Sequence, residues 1–259
     1  MKRIPFAGLS LTLCALAAPA WSAPITLAAT VRDFCSSAYT AVQGCANHID
    51  FDNIGILDVG NAVKSTLGAD GKPVFNASAS SVFSTAANFD QWYRDVAGVN
   101  KTIATSLTLT ETTPGVYEYK NDAYFPINGQ GWGNQGNSRN YHFTMELHTT
   151  FTYQPGQTFS FTGDDDVWVF VNNQRVIDLG GIHGAQSQSV DLNTLGLTAG
   201  QNYAFDFFFA ERHVTESNLR IQTSIAFNDN RVPEPGSLAL AGLGGLALAG
   251  TAFMRRRKA

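Results

Sequence analysis

The segment Tyr141-His142-Phe143-Thr144-Met145-Glu146-Leu147-His148-Thr149-Thr150-Phe151-Thr152-Tyr153 alternates with a period of two. Its odd positions are mostly large and apolar, and its even positions are His, Thr and Glu. Successive side chains of a strand point to opposite faces, so this is a half-buried strand with one apolar side. Pro155-Gly156 then turns the chain. Further on, Val167-Trp168-Val169-Phe170-Val171 is apolar throughout and reads as a strand buried on both faces. Asn172-Asn173 makes a hairpin turn into residues 175–179. Val190 and Leu192 start a short strand, and Ala199-Gly200 turns into residues 203–209. Residues 218–227 form the last strand. Upstream, residues 25–31, 103–110 and 116–119 also read as strands. The helix candidate is residues 89–96, with Asn88 as N-cap and Phe89, Trp92, Tyr93 and Val96 on one face. Residues 128–140 and 180–184 are glycine-rich loops. Many short strands separated by turns predict an all-β fold, a single antiparallel β-sandwich of jelly-roll-like form with one short helix.

The two ends of the chain differ from this middle. Met1-Lys2-Arg3, an apolar stretch to Ala18 and a small-residue segment ending at Ala23 have the layout of a secretory signal peptide over residues 1–23. At the other end Pro233-Glu234-Pro235 precedes an apolar, helix-length segment (238–254) and then Arg255-Arg256-Arg257-Lys258. The sandwich is therefore assigned to residues 24–230 and the tail to 231–259. Cys14 falls in the leader, which leaves Cys35 and Cys45. Their spacing fits no zinc finger, and an oxidising compartment favours a disulfide between them. The whole chain has 17 Lys+Arg against 21 Asp+Glu, a net charge of −4. Losing the basic ends takes the mature domain to about −9 to −10 by the same formal counting, which disfavours nucleic acid and anionic membranes as partners.

Three consecutive carboxylates, Asp164, Asp165 and Asp166, run straight into the buried strand. Adjacent like charges repel and resist burial, so something must compensate them. A hard cation with oxygen ligands would do so, with calcium the expected cofactor outside a cell; the alternative is a solvated acidic turn before a core strand.

Several long motifs now add up. Phe161-Thr162-Gly163-Asp164-Asp165-Asp166-Val167-Trp168-Val169-Phe170-Val171-Asn172 resembles the signature of the fibro-slime domain. So do residues 176–184 and Asp206-Phe207-Phe208-Phe209-Ala210-Glu211-Arg212-His213, with supporting likeness at 91–96 and 142–150. The resemblance spans roughly Thr30 to Thr223. In its second half this family is similar to the β-sandwich of anthrax protective antigen and of yeast flocculins and adhesins. That similarity implies an aspartate pair, joined by a cis peptide, holding calcium that in turn binds sugar hydroxyls. It also implies a second ligand loop, here residues 211–218, with Glu216 or Asn218 as side-chain ligand. Which two of the three aspartates form the pair stays open. Trp132, His183, Glu211, Arg212 and His213 are the expected sugar-contacting residues. The tail resembles the PEP-CTERM sorting signal of Gram-negative bacteria. It implies a membrane helix before processing, cleavage near Pro233-Glu234-Pro235 by an exosortase-type protease, and delivery to the cell surface or matrix.

Catalytic alternatives are weaker. His142, Glu146 and His148 share a strand face, but His142 and His148 are too far apart along it to hold one ion. An Asp164–Asp166 carboxyl paired with Glu211 or Glu216 has the residue types of a glycosidase. Asp50-Phe51-Asp52 opens like a calcium loop but has Asn61 where the closing acid belongs. The expected role is non-catalytic, calcium-dependent binding of an extracellular glycan or exopolysaccharide, with a structural matrix or adhesion protein as the alternative.

Overall fold

A computed structural model describes residues 22–52, 57–58, 60–77 and 83–228. Nearly all of the leader, the Pro233-Glu234-Pro235 motif and the apolar segment 238–254 lie outside the described residues. Among the described residues no helix is long and apolar enough to cross a membrane.

In chain order the strands are β1 (Ile25–Phe34), β2 (Leu57–Asp58), β3 (Asn100–Thr113), β4 (Val116–Asn121), β5 (Phe143–Thr152), β6 (Thr158–Gly163), β7 (Val167–Val171), β8 (Gln174–Leu179), β9 (Gly181–Ile182), β10 (Gln186–Asp191), β11 (Asn202–Glu211) and β12 (Leu219–Thr223). Ten of them form one antiparallel sheet in the order β10-β6-β12-β4-β3-β1-β5-β11-β7-β8, and β2 pairs with β9. The long β3 is the corner. Its first ten residues pair with β1, and its end pairs with β4 across a bulge between Glu111 and Thr113. A bulge bends a strand, and here it folds the sheet into two facing layers. Phe159 and Phe161 of β6 meet Phe205 and Phe207 of β11 across the interior at ring distances of 5.0 and 5.7 Å. At the far edges Asp178 N of β8 donates to Gln188 Oε1 of β10 at 2.7 Å.

The all-β sandwich follows the sequence reading, and so does the β7–β8 hairpin. Asn172 and Asn173 both have positive φ, 50° and 63°, the geometry of the tight turn that suits a hairpin's twist. Cys35 and Cys45 form a disulfide with Cα atoms 6.2 Å apart.

One feature of β5 differs from its reading. Its odd side faces the sandwich core as expected, but its even side is buried too up to Leu147. The described residues between 35 and 99 cross over the outside of β7, β11 and β5 and build a second core there. Phe34, Phe51, Phe83, Phe89, Trp92 and Tyr93 pack on Trp168, Phe170 and Phe208. β7 is the shared wall, since Val167, Val169 and Val171 face the first core and Trp168 and Phe170 the second.

The helix is also shifted. It spans Ala86–Phe89, and Thr85 rather than Asn88 is its N-cap, accepting from Asn88 N at 3.0 Å. Residues 91–96 continue as turns because the Asn100 side chain takes over their backbone groups. It donates to Gln91 O and Arg94 O at 3.0 and 2.8 Å and accepts from Val96 N at 3.0 Å.

Candidate functional site

The turn Asp164–Asp166 joins β6 to β7 at one pole of the sandwich. The register places Glu211 opposite Phe143 and Leu219 opposite Gly163, so the end of β11 and the start of β12 arrive at the same pole. Gly163 is required there. A Cβ would stand 2.3 Å from Asn218 O and inside the Phe161 ring contact. This close approach is what brings residues 211–218 beside the aspartates.

All three aspartates are buried, and each is held differently. Asp164 accepts from Asn218 twice, from the backbone N and from Nδ2, the latter at 2.9 Å. Asp165 sits at φ 25° and accepts from His183 N at 3.2 Å and Arg212 N at 3.1 Å. Asp166 accepts from Gly181 N at 2.7 Å and from Arg212 Nε at 2.5 Å, and both side chains of that ion pair are 0 % exposed. Arg212 also donates to Asp50 O at 3.3 Å and lies 4.9 Å from the centre of the Trp92 ring.

Burial raises Asp164 above the ordinary carboxylate range despite the Asn218 bonds. Burial pushes Asp165 up to about 7; the attraction of Arg212 lowers it and the charge of Asp166 raises it. Glu211 is raised well above its usual value, by burial first and then by repulsion from Asp165 and Asp164. Its Oε1 accepts from His213 N at 3.2 Å. Its Oε2 is buried without a hydrogen bond of good geometry, as is the Ser217 hydroxyl.

A hollow of about 250 Å³ opens over this group, lined by Asp164, Asp165, Ile182, His183, Gly184, His213, Thr215 and Glu216. Five expected site residues therefore meet on its wall: Asp164, Asp165, His183, His213 and Glu216. Asn218 binds Asp164 directly behind it, and Glu211 lies beneath. Three expectations need correction. Asp166 does not face the hollow, because Arg212 and Gly181 take both of its oxygens. Arg212 is wholly buried and cannot touch a ligand. Trp132 is elsewhere: buried Asp33 accepts from Trp132 N and from Asn140 Nδ2, folding that loop inward, and Lys101 Nζ covers the indole face at 3.9 Å. The cis peptide implied for the aspartate pair is also absent, since no cis bond occurs among the described residues. The loops 180–184 and 211–218 line the hollow as expected, but Ile182 and Thr215 within them were not singled out. They carry no chemical signature and reach the wall only through the β2–β9 pairing and the 211–218 loop.

The polar face of β5 is spent internally. Glu146 pairs with Arg32 Nη1 at 2.9 Å and with Lys72 Nζ, while His148 Nδ1 meets Asp206 Oδ1 at 2.7 Å. His142 pairs with Asp52. These side chains tie the second core's covering segment to the sheet.

The PA14 domain pattern matches residues 110–239, from the corner strand β3 through the aspartate turn to the chain's tail. The chain belongs to the PA14 domain family. A PEP-CTERM protein-sorting motif matches residues 231–258 and so contains Pro233, Glu234 and Pro235. Among curated proteins, this PA14 chain is similar to three from Dictyostelium discoideum. Protein psiR is 46% identical over 205 residues, covering 72% of this chain and 21% of psiR. Protein psiQ is 49% identical over 178 residues, covering 63% and 18%. Protein psiC is 38% identical over 237 residues, covering 84% and 43%. The chain thus spans less than half the length of each of these relatives. All three matches are longer than the PA14 match itself. Among solved structures, a PA14 sugar-binding domain from an RTX adhesin aligns over 80% of this chain and 94% of its own, with 14% identity and a TM-score of 0.33.

Proposed function

We propose that the aspartate hollow is a calcium-dependent glycan-binding site on a non-catalytic PA14 protein delivered to the cell surface or matrix. One observation carries the reading. Asp164, Asp165 and Glu211 crowd together out of water with all three carboxyls raised, and Glu211 Oε2 is buried without a good hydrogen bond. Asp166 has its own guanidinium; these three have chiefly N–H dipoles. A divalent cation with oxygen ligands is the missing countercharge. Asp164 and Asp165 would hold it, with Asn218 and Glu216 on the rim and Glu211 below. The Asn218 fork now turns its NH₂ to Asp164 and Glu216 and carries an oxygen beside it. A carboxylate has about four lone-pair directions, so bonds to N–H donors leave capacity for an ion. A bound calcium supplies a Lewis-acidic centre for paired sugar hydroxyls, and His183, His213 and Thr215 wall the space around it.

A second reading has its own support. Every oxygen of the three aspartates already accepts from a protein N–H, and no three His, Cys, Asp or Glu side chains among the described residues converge on one point. On that reading the turn is self-sufficient and the protein is a structural matrix or adhesion component. Geometry disfavours Glu211 as a hydrolytic acid: it is 1 % exposed, and a general acid must reach its substrate.

The motif likeness supports a fibro-slime assignment within the family, and the sorting motif supports exosortase-type processing at Pro233-Glu234-Pro235. Calorimetric titration of calcium into the protein tests the site. Saturable binding that disappears in Asp164→Asn/Asp165→Asn is expected, and no heat at millimolar calcium overturns the calcium reading in favour of the scaffold.

A further inference from the structure

A second hollow, of about 440 Å³, lies on the other side of the 213–218 loop. The two share Thr215 and Glu216 as a common wall. The wall is fixed from both sides. Asn218 is bonded to Asp164 on one side, and Ser217 O accepts from Tyr124 N at 2.7 Å on the other. The aspartate hollow falls below the usual size of a small-molecule site, and the second hollow lies within that range.

The chemistry of the second hollow suits a sugar ring. Phe125 and Tyr141 pack edge to face, with ring centres 5.0 Å apart, and give it an apolar wall. Tyr141 Oη lies 3.2 Å from Ser138 Oγ. The Arg139 guanidinium stands 5.9 Å from the Phe125 ring, and Asp122 and Glu216 add carboxylates. Partly buried aromatic surface beside a guanidinium and two carboxylates matches a pyranose, which has C–H patches and a rim of adjacent hydroxyls. Nothing in the aspartate turn accounts for this second set of residues.

We propose that this hollow is a second sugar subsite, so that the ligand is an oligosaccharide lying across the Thr215–Glu216 wall with one unit in each hollow. The proposal rests on glycan binding at the aspartate turn, and its test separates the two. The purified protein is applied, in millimolar calcium and in chelator, to an array of immobilised monosaccharides and oligosaccharides. The variant Asp122→Ala/Arg139→Ala is run alongside; both positions are exposed, and calcium titration checks that the aspartate turn is intact. Chelator-sensitive binding at least tenfold tighter to an oligosaccharide than to its terminal monosaccharide is expected. The variant should lose about tenfold on the oligosaccharide while monosaccharide and calcium affinities stay unchanged. Equal affinity for both lengths, or an unaltered variant, overturns the second subsite and leaves the first standing. Absence of chelator-sensitive binding to any saccharide overturns both.

Discussion

The two sides of the aspartate turn solve the same electrostatic problem in opposite ways. Asp166 faces the second core and meets a cation there. Arg212, sandwiched between Asp166, Asp50 O and the Trp92 ring, neutralises it at a point from which water is excluded. Asp164 and Asp165 line the hollow, with Glu211 buried beneath, and they meet amide N–H groups and one another. A guanidinium settles a carboxylate permanently, whereas N–H dipoles hold it in place but leave net charge and lone pairs. The first arrangement is that of a structural joint. The second is the arrangement on which the proposed cation site rests.

Removing the joint should have the largest effect. Breaking one partner of a buried ion pair typically costs about 3–5 kcal/mol, because the other charge is left without compensation. Arg212→Met should therefore lower the unfolding free energy by about that amount in urea denaturation. Asp166→Asn added to Arg212→Met should restore much of it, since no uncompensated charge then remains. A single variant as stable as wild type would mean that the two sides of the turn do not differ as described.

The hollow side should show itself through pH. The folded-state value of Asp165 is about 7, against an ordinary 3.8. Folded protein therefore binds this proton more tightly than the unfolded chain does between about pH 4 and pH 7. Asp165's contribution to stability in calcium-free buffer should fall as pH rises through that window and level off above it. Buried Asp33, also raised to about 7, and Glu211 add to the same trend. Asp165→Asn should remove only its own share, at most about 1.4 kcal/mol per pH unit. Parallel curves for wild type and variant would place the repulsion elsewhere. Saturating calcium should flatten the wild-type curve and leave the variant's unchanged.

Much of this arrangement was legible in the sequence because local pattern encodes it. Period two marked the inner face of β5, an unbroken apolar run marked β7 as buried twice, and Asn172-Asn173 marked the hairpin. What was hidden depends on chain segments far apart. Nothing near Glu146 or His142 tells that Lys72 and Asp52 arrive to cover them. Arg212 looked like a surface cation beside a ligand because its partners, Asp166 and Asp50, are distant in sequence. Residues 91–96 carried a helical apolar pattern, yet the amide of Asn100 satisfied their backbone another way. Three adjacent aspartates signalled a compensated charge. Only the direction of β7, whose Trp168 and Phe170 face the second core, puts Asp166 with the arginine and leaves Asp164 and Asp165 to the hollow.

The smallest expected effect falls on Glu216, which separates ion ligand from rim. It is exposed, accepts from Asn218 Nδ2 at 3.3 Å, and lines both hollows. Its charge is the weakest of the influences on Asp164, after burial and the Asn218 bonds. Glu216→Gln keeps its shape and removes one negative charge, so stability should stay within about 0.5 kcal/mol of wild type, as for most surface substitutions. Calcium affinity should weaken by about fivefold, on the order of 1 kcal/mol, where Asp164→Asn/Asp165→Asn abolishes it. A loss as complete as that of the aspartate variant would make Glu216 a principal ligand and move the ion outward, toward the wall between the hollows. No change at all would place the ion inward, over Glu211, and leave Glu216 to face the sugar alone.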